Sequence, residues 1–385
     1  MAENSIKPRI RFKGYTDAWE QRKLGEVANI QKGQQLGKAE MSNNGAFYVL
    51  NGGMEPSGYT NQYNTFANTI SISEGGNSCG YVSLNLEQFW SGGHNYTLQN
   101  PRIDTFFLYQ WLKRHEKGIM ALRVGSGLPN IQKSALQDVI VAYPKKSEQR
   151  AIAEILNKID NLITLHQRKY DKFVNIKKAL LEKMFPSDAE ATPKIRFKGF
   201  TDAWEQREFN SIVKRVTEMA ATDGLPRVEY EDIVSGQGTL NKDIYKKQSN
   251  KVGILFDDGD VLFGKLRPYL KNWLFAAFKG IAVGDFWVLR ANNADGEYIY
   301  TLLQIDTFQN IANQATGTKM PRADWSLVSK QQFFIPRTIA EQHRIGVVFK
   351  QLDNLITLHQ RGLIKIQGDK NGKKRSFRRI VQRLF

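Results

Sequence analysis

A phrase of the sequence occurs twice in this chain of 385 residues. Residues 10–22 read IRFKGYTDAWEQR and residues 195–207 read IRFKGFTDAWEQR, with a single substitution between the copies. A second segment, DNLITLHQR, occurs unchanged at residues 160–168 and 353–361. The stretches between these segments have no comparable sequence similarity. A repeated frame around two different inserts is typical of two modules on one scaffold. The frame would meet one kind of partner, and the inserts would meet two different targets.

The inserts predict a mixed α/β fold. Residues 24–144 are rich in Gly, Asn, Ser and aromatic residues, with short β-prone runs between turn residues. Both halves contain a helix candidate, and both continue with a glycine loop, a short strand, a proline and a long helix. The predicted strands are 47–50, 69–73, 139–143 and 332–335, the predicted helices are 106–122 and 298–312, and the prolines are Pro144 and Pro336. We expect the fold class α/β (α+β), with mixed and antiparallel sheets in two globular domains, residues 1–145 and 187–336.

The strongest periodic pattern of the chain follows each proline. Residues 147–185 contain no Gly or Pro, and a helix of that length would extend on the order of 58 Å. Apolar residues recur there every three or four positions, as in a coiled-coil seam, and the pattern returns after Pro336. The seam residues are Ile152, Ile155, Ile159, Leu162 and His166 in the first copy and Ile345, Val348, Leu352, Leu355 and His359 in the second. We predict that two long helices, 146–186 and 337–385, pair as an antiparallel coiled coil with one globular domain at each end.

The second long helix carries further signals. Thr338 and Glu341 have the spacing of a capping box at its start. From Gly362 onwards the chain is basic and contains three glycines, and each glycine inside a helix costs about 1 kcal/mol relative to alanine. The helix is therefore expected to fray after about Ile366. The paired seam histidines could bind a metal or respond to pH, but a role in fixing the helix register is favoured.

Composition indicates an acidic partner and argues against several classes of protein. Lys and Arg number 55 against 38 Asp and Glu, which gives a net charge of +17, as expected of a nucleic-acid-binding protein. The single cysteine, Cys79, excludes an internal disulfide and a multi-cysteine zinc site. No phosphate-binding loop, dinucleotide fingerprint, H-E-x-x-H motif or adenine-methyltransferase motif occurs, so no catalytic residue, bound cofactor or metal is predicted. With no signal peptide and no membrane-spanning run, the protein is expected in the cytoplasm without a membrane partner.

Several loops carry the groups that read nucleic acid. Basic side chains bind phosphates, amide and guanidinium groups bind base edges, and glycine allows close approach of the backbone. The densest segment is GKLRPYLKN at 264–272, and the loops at 125–130 and 316–322 occupy matching positions in the two halves. Ordinary solvated turns have a similar composition, so each loop alone is a weak signal. The predicted DNA-contact residues are Lys32, Gln34, Gln35, Lys38, Asn77, Ser78, His94, Asn95, Ser126, Asn130, Lys133, Lys265, Arg267, Tyr269, Lys271, Asn272, Thr318, Lys319 and Arg322.

Taken together, these features resemble the specificity subunit of type I restriction-modification systems. The resemblance is carried by the doubled frame, by SEQR at 147–150, by KALLEKMF at 178–185 and by LFGKLRPYLKN at 262–272. It covers essentially the whole chain.

The resemblance implies that the two globular domains are target-recognition domains that read the two parts of a split, asymmetric sequence in double-stranded DNA. It implies two modification subunits, which methylate adenine with S-adenosylmethionine, and two ATP-dependent restriction subunits. S-adenosylmethionine, ATP and Mg²⁺ would bind to those partners, the helical frame would dock the modification subunits, and this chain would not be an enzyme. The alternative is a non-catalytic protein-binding scaffold with two different interaction heads. A self-sufficient methyltransferase is a weaker alternative.

Overall fold

The computed structural model describes residue 8 and residues 10–125, 127, 129–187, 190–247, 249–314 and 320–370. The chain divides into two compact units, Met1–Leu162 and Ile163–Phe385. Among the described residues, no helix combines the length and the apolar character that crossing a bilayer requires.

The first unit is a mixed α/β domain. Its elements are, in chain order, β1 (Glu20–Lys23), α1 (Leu24–Val27), β2 (Asn29–Lys32), β3 (Phe47–Leu50), β4 (Gly58–Thr60), β5 (Thr69–Ser73), β6 (Val82–Asn85), β7 (Trp90–Ser91), β8 (Asn95–Gln99), α2 (Thr105–Arg114), α3 (Glu116–Met120), α4 (Lys133–Gln137), β9 (Ile140–Tyr143) and α5 (Lys146–Met184), which continues into the second unit.

A four-stranded antiparallel sheet of order β2-β8-β5-β6 is the centre of this unit. The central strand β5 is buried along its whole length. Its sequence TISIS alternates hydroxyl and apolar side chains, so each kind lies on its own face of the sheet. Ile70 and Ile72 belong to the apolar core, while Ser71 on the other face bonds the hydroxyl of Ser83 at 2.8 Å. Helix α2 contributes Phe107 to the same core. A smaller sheet of order β4-β3-β7 and the pair β1-β9 complete the unit.

The second unit has the same class of fold. Its elements beyond α5 are β10 (Glu205–Glu208), α6 (Phe209–Ile212), β11 (Val213–Val216), β12 (Met219–Ala220), β13 (Arg227–Val228), β14 (Ile233–Val234), β15 (Thr239–Leu240), β16 (Gly253–Phe256), β17 (Val261–Gly264), β18 (Trp273–Phe275), β19 (Gly280–Ala282), β20 (Phe286–Ala291), α7 (Gly296–Leu302), α8 (Asp306–Ala312), α9 (Trp325–Lys330), β21 (Gln332–Ile335) and α10 (Ile339–Lys370).

The central sheet of the second unit repeats that of the first. Its order is β11-β20-β17-β18, again antiparallel, so β17 takes the place of β5 and β20 takes the place of β8. A second sheet of order β12-β16-β19-β13 and the pairs β10-β21 and β14-β15 are added to it. The core is aromatic: Phe263 stacks on Trp287 at 5.5 Å between ring centroids, and Phe308 packs edge-on against Phe263 at 5.5 Å.

The repeated frame builds the same hydrogen-bond network in each unit. In the first unit, the Arg11 guanidinium donates two bonds to the Glu148 carboxylate, at 2.9 and 2.6 Å. In the second, Arg196 donates two bonds to Glu341, at 2.6 and 2.9 Å. In both cases, the acid lies in the first turn of a long helix, and the strand after the arginine pairs with the strand before the proline. The repeated sequence therefore has a structural role: it attaches each unit to its long helix.

A glutamine beside each acid completes this network. Gln149 donates to the carbonyl of Pro144 at 2.7 Å, and its side-chain oxygen accepts from the Asp104 N–H at 2.8 Å. Gln342 makes the equivalent bonds, to the carbonyl of Pro336 at 2.9 Å and from the Asp295 N–H at 2.9 Å. Asp104 and Asp295 in turn cap the N-termini of α2 and α7 by accepting from N–H groups in the first turn. Each long helix is thus tied to the first helix of its own insert.

Within the second unit, the end of α5 pairs with α10 in the antiparallel sense. His166 meets His359 with their Nδ1 atoms 3.0 Å apart, and Lys177 bonds Asp353. Moving forward along α5 therefore means moving backward along α10, as the sequence predicted. His359 also stacks on Phe173 with 5.6 Å between ring centroids.

The predicted seam is only partly correct. Ile345, Leu352 and His359 are buried, and Val348 and Leu355 are partly buried. In the first unit, Ile155 and Ile159 are buried, and Ile152 packs on the unit's apolar core. Leu162 is 41% exposed, however, so its assignment to a buried seam was wrong.

Other predictions also need correction. The candidate helix 106–122 is two helices that meet at His115, whose Nδ1 lies 2.8 Å from the Trp111 carbonyl. The candidate 298–312 is likewise divided, into α7 and α8. The capping box is half formed: the Glu341 N–H donates to Thr338 Oγ1 at 3.3 Å, but the carboxylate bonds Arg196 instead.

Helix α10 runs to Lys370, and the fraying predicted after about Ile366 stays a prediction. Gly362 lies inside this helix, and a Cβ at that position would be 2.9 Å from the imidazole ring of His166. This glycine makes room for the histidine pair. Residues 371–385, where the predicted basic tail falls, lie outside the described residues.

The histidine pair predicts a pH-dependent stability. Burial, with nearby His166 and Lys169, lowers the pKa of His359 below its usual 6.5. The unfolded chain therefore takes up a proton near pH 6.5 that the folded chain does not, so stability falls as the pH drops below that value, by up to about 1.4 kcal/mol per pH unit. His359→Gln should flatten this slope between pH 7 and 5.5 in urea unfolding, whereas His115→Gln in the first unit should preserve it. An unchanged slope in His359→Gln would contradict the assignment.

Candidate nucleic-acid interface

Three loops of the first unit converge at one edge of its central sheet. Glu74 follows β5, and its N–H donates to the carbonyl of His94, the residue before β8, at 2.9 Å. The Glu74 carbonyl accepts from the Ile131 N–H at 2.8 Å, and the Gly76 N–H donates to the Pro129 carbonyl at 3.0 Å. The loop after β5, the residue before β8 and the segment before α4 are therefore held together by backbone hydrogen bonds.

The second unit reproduces these bonds one for one. The Lys265 N–H donates to the Asp285 carbonyl at 2.9 Å, and the Lys265 carbonyl accepts from the Ala323 N–H at 2.8 Å. The Arg267 N–H donates to the Pro321 carbonyl at 2.7 Å. Lys265 thus takes the place of Glu74, Asp285 that of His94, and Arg267 that of Gly76.

Of the loops at 125–130 and 316–322, the described residues Asn130 and Arg322 have matching positions in the structure. Asn130 forms a β-bridge with Gly75, and Arg322 forms the equivalent bridge with Leu266. Asn130 and Arg322 are therefore equivalent residues. We call the surface formed by Glu74, His94, Asn130 and their loops the first face, and the surface formed by Lys265, Asp285, Arg322 and their loops the second face.

The hairpin loops at the centre of the two faces, 74–80 and 265–271, have equal length and closely similar backbones. They are closed by the Ser73 N–H on the Tyr81 carbonyl at 3.0 Å and by the Gly264 N–H on the Asn272 carbonyl at 2.7 Å. Both contain two residues in the left-handed region, at the same two positions. These are Gly76 (φ 73°) and Gly80 (φ 87°) in the first loop, and Arg267 (φ 50°) and Lys271 (φ 54°) in the second.

The side chains in these left-handed positions differ in energetic cost. Glycine adopts positive φ freely, whereas a residue with a Cβ is disfavoured there by roughly 1–2 kcal/mol. Arg267 and Lys271 therefore sit where glycine would be easier to accommodate. Strained residues of this kind cluster at functional sites.

In the first unit, the loops bring Lys32, His94 and Glu74 together. The Glu74 carboxylate accepts from Lys32 Nζ at 2.6 Å and from the Tyr96 hydroxyl at 3.0 Å, and lies 3.7 Å from His94 Nδ1. The Lys32 and His94 side chains are 54% and 64% exposed, so both present nitrogen donors to solvent. Desolvation, followed by the bond to Glu74, raises the pKa of Tyr96 to about 12, which keeps the phenol protonated as a donor.

Glycines allow the close packing of these loops. A Cβ at Gly33 would lie 2.2 Å from the Gly92 carbonyl oxygen, and one at Gly52 would lie 2.7 Å from the carbonyl oxygen of His94. Backbone contact therefore requires glycine at these two positions of the glycine-rich sequence.

The remaining first-unit candidates are divided between surface and interior. Asn95 is 3% exposed and its amide donates to Ser91 Oγ at 3.2 Å, so we leave it out of the contact surface. Ser78 is partly buried and donates to the Gly52 carbonyl. Ser126 lies outside the described residues. The exposed candidates are Gln34, Gln35, Lys38, Asn77, Asn130 and Lys133.

In the second unit, the acid Asp285 lies between two basic side chains. Arg322 Nη2 is 3.0 Å from one carboxylate oxygen, and Lys265 Nζ is 3.7 Å from the other. Arg322 is 60% exposed and Tyr269 is 53% exposed, and Lys271 is also exposed. Asn272 and Arg267 are partly buried. Thr318 and Lys319 lie outside the described residues.

Glu74 and Asp285 are the residues that the sequence analysis missed. A search for basic and amide groups passes over carboxylates, although Glu74 begins the loop from which Asn77 and Ser78 were chosen. Asp285 stands alone before a strand, and only the fold brings it to Lys265 and Arg322. In the described part of the chain, no cluster of three or more His, Cys, Asp or Glu side chains has a geometry that could hold a metal.

Known proteins similar to this chain are type I restriction-modification specificity subunits. Residues 16–173 and 204–367 both match the family model described as "Type I restriction modification DNA specificity domain". A putative type I specificity subunit of Mycoplasma pneumoniae is 36% identical over 168 residues, which cover 41% of this chain and 44% of that protein. The specificity subunit of the Escherichia coli type I restriction enzyme EcoDI is 22% identical over 370 residues, covering 87% of this chain and 81% of the relative.

The fold also matches a solved structure. The crystal structure of a type I restriction-modification S subunit from M. genitalium superposes with a TM-score of 0.72 at 21% identity, covering 95% of this chain and 97% of that one. At this identity, the likeness concerns the fold. The alignment with the Mycoplasma pneumoniae relative spans less than half of that protein's length.

Proposed function

This chain belongs to the type I restriction-modification DNA specificity family, and from that membership we propose that it is the DNA sequence-recognition subunit of a type I restriction-modification complex. It carries two copies of the specificity domain, one in each half. Each copy would read one part of a bipartite, asymmetric site in double-stranded DNA. The chain would direct adenine methylation or restriction that its partner subunits carry out, and it would not itself be an enzyme.

The observation that carries this proposal is the pair of matching loop faces. The same backbone hydrogen bonds hold Glu74, His94 and Asn130 on one face and Lys265, Asp285 and Arg322 on the other. A common backbone with different side chains is what reading two different half-sites requires, because base edges are distinguished by the donors and acceptors that face them. The exposed lysines and arginines on the faces would bind phosphates and position the chain on the duplex.

The frame supplies a surface for the protein partners. Leu165 and Leu358 are equivalent residues of the repeated phrase, and they are 47% and 61% exposed on α5 and α10. Exposed apolar side chains on paired helices are suited to helix docking. We infer that each repeat docks one modification subunit, so that two are bound, and that two restriction subunits join the complex. S-adenosylmethionine, ATP and Mg²⁺ would then be bound by those partners, in the cytoplasm.

The test is to express the chain with its modification subunit and to map methylated adenines in the host DNA. A split, asymmetric motif is expected, and cells with the modification subunit alone are the control. The purified complex should bind a duplex with that motif, and log affinity should fall with log salt concentration at about −0.9 per phosphate contact. A mass of two modification subunits per chain is expected before restriction subunits are added. A complex that neither methylates a motif nor binds duplex DNA would favour the scaffold with two protein-binding heads.

A further inference from the structure

We propose that Glu74 and Asp285 are specificity-determining residues, one on each recognition face. Each carboxylate would hold two basic side chains in fixed positions and repel phosphates that approach without the correct bases. This inference rests on the proposed function. Beyond that function, it assigns a role to Glu74 and Asp285: they act through the neighbouring basic side chains and lower the affinity for DNA of incorrect sequence.

On each face, the residue after one central strand bonds the residue before the neighbouring strand through the backbone, and one of these two residues is an acid. The acid occupies the first of the two positions on one face and the second on the other. On the first face, the acid Glu74 follows the central strand and the basic residue His94 precedes the next strand. On the second face, the basic residue Lys265 follows the central strand and the acid Asp285 precedes the next strand. The pairing of one acid with one basic residue is therefore present on both faces, while its direction is reversed.

The first acid is enclosed by its partners. The Glu74 side chain is 13% exposed, and its contacts are Lys32 at 2.6 Å, the Tyr96 hydroxyl at 3.0 Å and His94 at 3.7 Å. Bonds between charged groups are stronger than neutral ones, so this carboxylate fixes the Lys32 ammonium against free rotation.

The second acid is more open but is held from both sides. The Asp285 side chain is 30% exposed, between Arg322 at 3.0 Å and Lys265 at 3.7 Å. The Tyr230 hydroxyl donates to the Asp285 carbonyl and accepts from the Leu266 N–H at 3.0 Å, which fixes the backbone on both sides of the pair. Burial raises the pKa of Tyr230, so this phenol stays protonated and keeps its donor role.

A carboxylate at the centre of a basic face has two physical consequences. It neutralises part of the positive charge that would bind any phosphate, and it disfavours a phosphate placed against it, since like charges in contact are costly. It also keeps the basic groups ordered, so that less conformational freedom is lost when they bond base edges. Both consequences penalise incorrect sequences more than the correct one.

The experiment uses the complete complex with Glu74→Gln and Asp285→Asn, which preserve shape and remove charge. Dissociation constants are measured for three duplexes: the full site, the site with its first half scrambled and the site with its second half scrambled. Glu74→Gln should tighten binding to the duplex with the first half scrambled by roughly three- to tenfold, and steepen the salt slope by about one phosphate contact. It should lower discrimination at the first half only. Asp285→Asn should do the same at the second half only.

Matched controls are Glu26→Gln and Glu231→Gln. These exposed acids form ion pairs with Arg22 and Lys242, in the first and second units respectively. They should leave the discrimination ratios and the salt slope unchanged. Thermal unfolding of every variant verifies that each one is folded.

Two results would overturn the inference. Equal weakening of all three duplexes by Glu74→Gln would show that this acid only supports the fold, and unchanged discrimination in both variants would show that neither acid contributes to specificity. A wild-type complex that binds all three duplexes equally would instead refute the proposed function, on which the inference depends.

Discussion

Replacing Arg267 by glycine is expected to weaken binding at the second half-site by about ten- to hundredfold without lowering the stability of the second unit. The loss follows from the guanidinium, since one bidentate contact to a base is worth about 1–3 kcal/mol of discrimination. The retained stability follows from the backbone, because Arg267 has φ 50° and glycine occupies the equivalent position in the first loop. Relief of the left-handed strain should offset the extra entropy of the unfolded glycine chain. Lys271→Gly should behave in the same way with a smaller loss, as expected of a single phosphate contact.

Binding to half-site-scrambled duplexes and urea unfolding measure the two effects separately. Asn293→Gly is the matched control, because Asn293 also has positive φ (49°) but follows the end of β20 opposite to Asp285. It should leave the affinity unchanged and, like Arg267→Gly, should not lower the stability of the second unit. Unchanged affinity in Arg267→Gly would refute a contact role for this residue, and a loss confined to the first half-site would assign its loop to the wrong part of the site.

The sequence predicts the parts of this fold that depend on periodicity. The strands at 47–50, 69–73 and 332–335 have the bounds that alternation and turn residues indicated, and α5 covers all of the glycine-free stretch 147–185 except Phe185. The division of the 106–122 helix at His115 was missed because no proline or glycine marks that position in the sequence. The exposure of Leu162 was missed because a heptad pattern alone does not show which of its apolar positions are buried.

The equivalence of the two hairpin loops cannot be found from sequence patterns. EGGNSCG and KLRPYLK share no residue at any matching position, yet they have corresponding hydrogen bonds and left-handed residues. The signal for positive φ is glycine, and it is present only in the first loop. The second loop has Arg267 and Lys271 in those positions, so its sequence does not indicate the left-handed conformation. Only the structure shows that Glu74 and Lys265 are equivalent.

Replacing Glu341 by alanine is expected to destabilise the second unit by about 3 kcal/mol, the lower part of the range for breaking a buried ion pair. Glu341 is 2% exposed and Arg196 is 12% exposed, so the guanidinium would remain in a poorly solvated site without its partner. Hydrogen bonding to Glu341 raises the pKa of Arg196, so the arginine stays charged and needs its anion. Trp204 would also lose the acceptor of its indole N–H, now 3.3 Å away. Urea unfolding with amide exchange resolves which unit loses stability.

The companion variants test whether the frame is one device used twice. Glu148→Ala should destabilise the first unit and leave the second unchanged, because Arg11 depends on Glu148 as Arg196 depends on Glu341. Replacing both Arg196 and Glu341 by leucine should cost less than Glu341→Ala alone, since no unpaired charge remains. A loss below about 1 kcal/mol in Glu341→Ala would show that the pair is dispensable. Both units use the same Arg–Glu pair in the frame, whereas the two recognition loops share a backbone and carry different side chains. This agrees with a frame that repeats in sequence around inserts that do not.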